Sequence, residues 1–235
     1  MPIWGSNQIS KPNMGSRVWR GRGVLPWWNP DGETLGGIGG DCVGAYQAKS
    51  AATYLASLVN LANPGTNDLV EGNGAVPWAG GTGWGFVTAA AQWFNTGLVP
   101  ANDQSWSMLV QFSNSVNPAA DVVYCGLRNG GGREFLLTER WVQVRYANGG
   151  QVNIPPSLGA TGNLGVAGAQ GYRNGIADGG AIGIWTGASI RSIYIGRSNA
   201  AAPSYCTADI ESIAIYNVIL TAPQVAARAT AMAAL

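Results

Sequence analysis

Ala208-Asp209-Ile210-Glu211-Ser212-Ile213-Ala214-Ile215-Tyr216-Asn217 is the stretch on which the fold turns, at the heart of a segment running over residues 189–233. β-Branched and aromatic residues crowd it, as they do in strands. Strict alternation puts Ile213 and Ile215 on one face and Ile210, Ala214 and Tyr216 on the other. Both faces are then apolar, the pattern of a strand covered on both sides in a layered β structure. Ahead of it, Ile190, Ile193, Tyr194 and Ile195 form another strand-like run that breaks at Gly196, before a polar loop at Ser198 and Asn199. Behind it, Thr221-Ala222-Pro223-Gln224 offers a hydroxyl N-cap, a proline where a missing N–H costs nothing, and a Gln at capping-box spacing. These signals open an alanine-rich helix over about 222–232.

Working outward, strand-like runs recur at 84–87, 91–94, 106–112, 122–127, 134–138, 141–146 and 151–154. Glycine-rich turns at Asn129-Gly130-Gly131-Gly132 and Asn148-Gly149-Gly150 punctuate them. Regular short strands with such punctuation predict an all-β sandwich, here over residues 42–235. One helix is inserted at about 50–60, where Ala52, Tyr54, Leu55, Leu58 and Val59 share a face and Ser50 is the expected N-cap. Residues 1–41 carry Gly, Pro, Arg and Trp without helix or strand periodicity and read as an extended N-terminal arm.

The C-terminal pattern carries a resemblance. Ile195-Gly196-Arg197, a loop, and then the run from Asp209 through Thr221 resemble the last strands and closing helix of laminin-G-like jelly rolls of the concanavalin A-like class. Ala208-Asp209 stands where that family usually has Gly. Gln92-Trp93-Phe94-Asn95-Thr96-Gly97 and Trp106-Ser107-Met108-Leu109-Val110-Gln111-Phe112 are similar to the approach to the family's first core strand and to that strand, and Tyr172-Arg173-Asn174-Gly175 to a family hairpin. The likeness spans residues 84–233 and implies a jelly-roll sandwich. It leaves function open, because the family holds lectins, enzymes and structural modules. Leu25-Pro26-Trp27-Trp28-Asn29-Pro30 and Leu61-Ala62-Asn63-Pro64-Gly65-Thr66 resemble the leader of laminin-G-like proteins encoded by phages.

Composition narrows the chemistry. Charged residues make up 11% of the 235 and the net charge is +1, so no bulk attraction to nucleic acid or acidic membranes is expected. Eleven of the thirteen basic residues are Arg, which favours planar, bidentate partners. The absence of His excludes serine–histidine dyads and leaves no ordinary zinc site. Of the three cysteines, Cys125 and Cys206 sit in strand-like runs and are expected as buried, apolar thiols. Asp31, Asp41, Asp103, Asp178 and Asp209 are too scattered in sequence to define a calcium cage. No metal and no cofactor is expected.

Two constellations remain. Trp4, Arg17, Trp19, Arg20, Arg22, Trp27 and Trp28 make the arm a docking element, since each tryptophan brings roughly 150–250 Å² of buriable surface. In Trp141-Val142-Gln143-Val144-Arg145-Tyr146, the valines and Tyr146 are expected to face the core, leaving Trp141, Gln143 and Arg145 together as a sugar-binding face. Asp209 and Glu211, two apart on a strand, are the best carboxylate pair for a glycosidase, but the sequence continues Ser212-Ile213 where related glucanases carry a second Glu. The segment from Met1 to Gln8 has no basic region followed by an apolar one, so no export signal is expected.

The expectation is therefore a non-enzymatic virion protein, such as a phage capsid decoration, head-fibre or tail-associated protein, made in the host cytoplasm and extracellular after release. Its partners are other virion subunits or copies of itself, with cell-surface glycans as a further partner; nucleic acid and membrane are not expected. The alternatives are a free carbohydrate-binding lectin module and, third, a glycoside hydrolase.

Overall fold

The computed structural model describes residues 25–32, 41–100, 104–116, 121–128, 134–140, 143–185 and 189–235. In chain order the elements are β1 (Cys42–Gln47), the one-turn helix α1 (Tyr54–Ser57), β2 (Val70–Gly72), β3 (Trp78–Ala79), β4 (Gly83–Gly85) and β5 (Trp93–Asn95). They continue as β6 (Ser107–Ser113), β7 (Asp121–Arg128), β8 (Glu134–Arg140), β9 (Gln143–Ile154), β10 (Gly162–Ala167), β11 (Gln170–Arg173) and β12 (Ile176–Asp178). The last are β13 (Tyr194–Ile195), β14 (Asp209–Tyr216) and the helix α2 (Ala222–Ala233).

Two antiparallel sheets form the sandwich. One has eight strands, ordered β12-β11-β10-β6-β14-β4-β3 with β1 also pairing with β14; the other has six, ordered β2-β5-β13-β7-β8-β9. Between them lies the main core, with Phe94, Phe112, Tyr124, Phe135, Leu137, Tyr146, Ile195, Ile213 and Ile215 among its members. A second apolar layer covers the outside of the eight-stranded sheet. There Leu109, Ala214 and Tyr216 meet Val225 and Met232 of α2, together with Trp27 and Trp28. The doubly covered strand read from the sequence is β14, buried along both faces.

The faces of β14 differ from strict alternation. Its register against β6 slips between Ile210 and Ser212, so Glu211 is the extra residue of a bulge. An added residue flips side-chain parity. Ile210 therefore joins Ile213 and Ile215 in the main core, while Ala214 and Tyr216 face α2. The bulge is pinned from β1's side, where the N–H groups of Ala48 and Lys49 both donate to the Glu211 carbonyl.

Other expectations are corrected in extent. The inserted helix is one turn, capped by Thr53 rather than Ser50, whose φ is 64°. Tyr54 and Leu58 pack against the main core but Leu55 is 74% exposed, so the apolar face expected over 50–60 is covered only in part. The strand expected from Ile190 shrinks to Tyr194–Ile195, and Ile190 is 85% exposed. The closing helix runs 222–233, with the Thr221 N–H donating to Gln224 Oε1 at 2.8 Å. Asn174 (φ 50°) and Gly175 (φ 77°) turn the β11–β12 hairpin, in the positive-φ geometry that tight hairpins use. Cys125 and Cys206 are buried free thiols, as expected. Among the described residues, no helix is long and apolar enough to cross a membrane.

The arm divides. Trp4, Arg17, Trp19, Arg20 and Arg22 lie outside the described residues. Residues 25–32 are fastened to the body: the Trp27 indole N–H donates to Gln47 Oε1 at 2.9 Å, and the Tyr216 hydroxyl donates to the Trp28 carbonyl at 2.8 Å. Arg228 of α2, 1% exposed, reaches both Asp31 carboxylate oxygens at 2.8 and 3.2 Å.

Candidate functional site

Of the sugar-binding face expected on β9, Arg145 is not available to a ligand. Val144 and Tyr146 do point into the core, but Arg145 is 5% exposed and held by the Asp121 carboxylate at 3.4 Å and by Asn153 Oδ1 at 3.0 Å. A guanidinium buried in an ion pair is not offered to a ligand. Gln143 is exposed, and Trp141 lies outside the described residues.

An aromatic surface does form on the outer side of the same sheet, near its other end, around β5 and β13. In Trp93-Phe94-Asn95, Phe94 enters the core and its neighbours face outward; in Tyr194-Ile195, Ile195 enters the core and Tyr194 faces outward. The pairing sets Tyr194 opposite Asn95, which leaves Trp93 on the diagonal. Diagonal neighbours lie within reach of long aromatic side chains. The two rings stack with centroids 3.9 Å apart and planes 20° from parallel. On β2, Gly72 is the residue opposite Trp93, and a Cβ there would lie 2.0 Å from the indole. The indole lies flat across the glycine because no side chain occupies that place.

Gly196 then turns the chain. Its φ is 84°, and a Cβ would fall 2.1 Å from the Phe86 ring, so only glycine fits. This turn sends Arg197 back over the aromatic surface, with its guanidinium carbon 4.9 Å from the Trp93 ring centre, 5.4 Å from that of Tyr194 and 5.6 Å from that of Tyr205. Tyr205 reaches this position because it bridges Arg197 across the loop. Ser198 pins that loop: its N–H donates to the Ser204 carbonyl at 3.1 Å, and its hydroxyl accepts from the Ser204 N–H at 3.3 Å.

All four side chains are partly exposed. No protein partner among the described residues takes the Trp93 indole N–H or the hydroxyls of Tyr194 and Tyr205. Several inward-facing aromatics behave otherwise: Trp78 donates to the Ala48 carbonyl, Trp84 to Ser57, Tyr46 to the Asn67 carbonyl and Tyr124 to Glu139, although the buried Trp185 indole N–H has no partner among the described residues. Chemically, the outer patch is a partly exposed stack of two rings under a guanidinium, whose ring edges carry hydrogen-bonding groups without partners among the described residues, which suits a polar ligand with an apolar face.

The carboxylates are engaged elsewhere. Asp209 accepts from Asn114 at 2.6 Å, and Glu211 pairs with Lys49 at 3.0 Å. Glu134 pairs with Arg128. Glu139, 1% exposed, accepts from the Tyr124 hydroxyl and the Leu158 N–H, each at 2.6 Å; burial and that carboxylate together hold the Tyr124 hydroxyl well above its ordinary pKa. Asp31 and Asp178 are bound to arginines. No group of three or more Cys, Asp or Glu among the described residues is placed to hold a metal.

Sequence reasoning quoted Trp93 and Arg197 only as family-like motifs. The available signal was the matching alternation of Trp93-Phe94-Asn95 and Tyr194-Ile195, each with an aromatic facing away from an apolar neighbour. Their meeting, about 100 residues apart in sequence, depends on strand order.

No family model and no curated protein matches the chain. Solved structures match its fold. A mutant of Trypanosoma rangeli sialidase displaying trans-sialidase activity aligns with a TM-score of 0.54 at 16% identity, covering 82% of this chain and 33% of that one. Trypanosoma rangeli sialidase in complex with sialic acid aligns at 0.53 and 16% identity, covering 83% and 33%. Domain 4 of AbnA, a GH43 extracellular arabinanase from Geobacillus stearothermophilus in complex with arabinotriose, aligns at 0.49 and 14% identity, covering 80% and 98%. The chain spans about a third of the length of the sialidases it matches. At such identity the sialidase likeness establishes the β-sandwich fold.

Proposed function

We propose that this chain is a non-enzymatic carbohydrate-binding sandwich whose sugar face is the outer side of the six-stranded sheet around Trp93, Tyr194 and Tyr205. One observation carries the reading: a stacked Trp–Tyr pair stands on a partly exposed sheet surface with its indole N–H and hydroxyl without a partner among the described residues. Sugar rings present axial C–H groups to such a face and hydroxyls to its edges. That Glu134, Glu139, Asp209 and Glu211 are engaged in structural contacts supports binding without hydrolysis. The test is a glycan array probed with the wild type and with Trp93→Ala. Retention of a defined set of glycans, lost on substitution while thermal melting stays cooperative, supports the reading; an empty array overturns it.

A second reading, the virion protein displaying this sandwich, is favoured by the anchorage of residues 25–32. Trp27, Trp28 and Asp31 tie the end of a Trp- and Arg-bearing leader to the body. On this reading, deleting residues 1–24 abolishes assembly into an oligomer or particle and leaves melting unchanged. A monomer in both forms removes it.

A further inference from the structure

We infer that the aromatic face takes an acidic saccharide, its carboxylate or sulfate held by Arg197 with Arg191 beside it. The inference rests on the carbohydrate-binding reading and adds the chemical class of the ligand. Its basis is a charge left open. Among the described residues, Lys49, Arg128, Arg140, Arg145, Arg173 and Arg228 each lie 2.5 to 3.4 Å from a carboxylate oxygen. Arg191 and Arg197 have no carboxylate partner there, and both belong to the segment that builds the platform. They donate instead to consecutive main-chain carbonyls, Arg197 Nε to Ser198 at 3.3 Å and Arg191 Nη1 to Asn199 at 3.1 Å. Ser198 and Asn199 are adjacent, so the two guanidiniums are anchored to the same stretch of loop. Both Nη groups of Arg197 remain available as a planar fork, the geometry that carboxylates and sulfates accept in pairs.

The molecule contains the completed version of this motif. Arg228 also sits against an aromatic ring, 5.3 Å from that of Tyr216, and its fork is closed by both oxygens of Asp31. Arg197 over Trp93, Tyr194 and Tyr205 has the same parts except the acid. An acid group on a sugar whose ring rests on the aromatic surface supplies it. A polynucleotide offers anions and stacking bases as well, but the chain's net charge is +1 and two open guanidiniums make no basic track.

The experiment titrates the full chain, by calorimetry, with matched pairs: an oligogalacturonide and its methyl ester, a sulfated oligosaccharide and its desulfated form, and a single-stranded oligodeoxynucleotide. At least one acidic member is expected to bind about tenfold tighter than its neutral twin, and the paired arms separate carboxylate from sulfate. Arg197→Gln is expected to erase that difference and Arg191→Gln to reduce it about threefold, with unchanged melting; Trp93→Ala is expected to remove binding of both twins. Equal binding of acidic and neutral twins, untouched by Arg197→Gln, overturns the inference and leaves the carbohydrate reading standing. No saccharide binding at all overturns both, as does tight binding of the oligonucleotide alone.

Discussion

The two outer faces of this sandwich begin from similar materials and end differently. On the eight-stranded sheet, Tyr216, Trp27, Trp28 and Arg228 lie under or within a second layer formed by α2 and residues 25–32, and Asp31 completes the Arg228 fork. On the six-stranded sheet, Trp93, Tyr194, Tyr205 and Arg197 form a comparable aromatic–guanidinium group that stays partly exposed, with no acid supplied among the described residues. Closure turns such a group into structure; the open one is the group proposed to bind. Burial is what sets the energetic stake, because a charge out of water is costly unless paired, and a charge at the surface is not.

The strongest way to break the comparison is to open the closed face. Asp31→Ala leaves the Arg228 guanidinium buried without its acid and is expected to cost about 3–5 kcal/mol in urea unfolding. Arg197→Ala, on the open face, is expected to stay within about 0.5 kcal/mol of wild type. If the two substitutions cost the same, the contrast fails.

Next in size is the tryptophan pair. Trp27 is 8% exposed and wedged against Tyr216 and α2's layer, so Trp27→Ala is expected to cost about 3 kcal/mol while glycan retention persists. Trp93→Ala is expected to cost about 1 kcal/mol, the worth of one stacked pair, while retention is lost. The swap of effects, stability on one face and binding on the other, is the thing to measure.

The interior gives an effect confined to alkaline pH. Burial raises the Cys206 thiol from an ordinary 9.0 to about 12, and raises Cys125 well above its ordinary value. A raised pKa in the folded state means that folding favours the neutral thiol. That contribution is whole below about pH 9 and is lost as pH climbs toward about 12. Both thiols are expected to resist a thiol reagent at pH 8 until denaturant is added, and the unfolding midpoint is expected to fall above about pH 9. Prompt labelling of Cys125 or Cys206 in the native chain, with the half-buried Cys42 replaced by serine, contradicts the burial.

The difference between the faces also explains what could be read in advance. Part of the closed face is built from neighbours in sequence: β14 and α2 abut, and the Thr221–Gln224 cap and the apolar run announce themselves locally, as does the Asn174-Gly175 turn, whereas Trp28 and Asp31 reach Tyr216 and Arg228 from 188 and 197 residues away. The Glu211 bulge did not, because a bulge is fixed by the partner strand's register and by Ala48 and Lys49, more than 160 residues away in sequence. The open face needs Gly72, Trp93, Tyr194, Arg197 and Tyr205 to meet from three strands and a loop. Alternation within Trp141–Tyr146 was sound for Val144 and Tyr146, but it could not reveal that Asp121, on β7, reaches across to bury Arg145. Composition and local period tell which way a side chain points, and strand order decides what it finds there.

The central claim, that the uncovered aromatic–arginine group on the six-stranded sheet is where ligand lands, is tested most directly by mapping amide chemical shifts during titration with an acidic oligosaccharide that the chain retains. Shifts confined to Gly72, Trp93, Tyr194, Arg197, Tyr205 and their immediate neighbours are the expected result. Shifts centred on α2 and residues 25–32 would contradict the account.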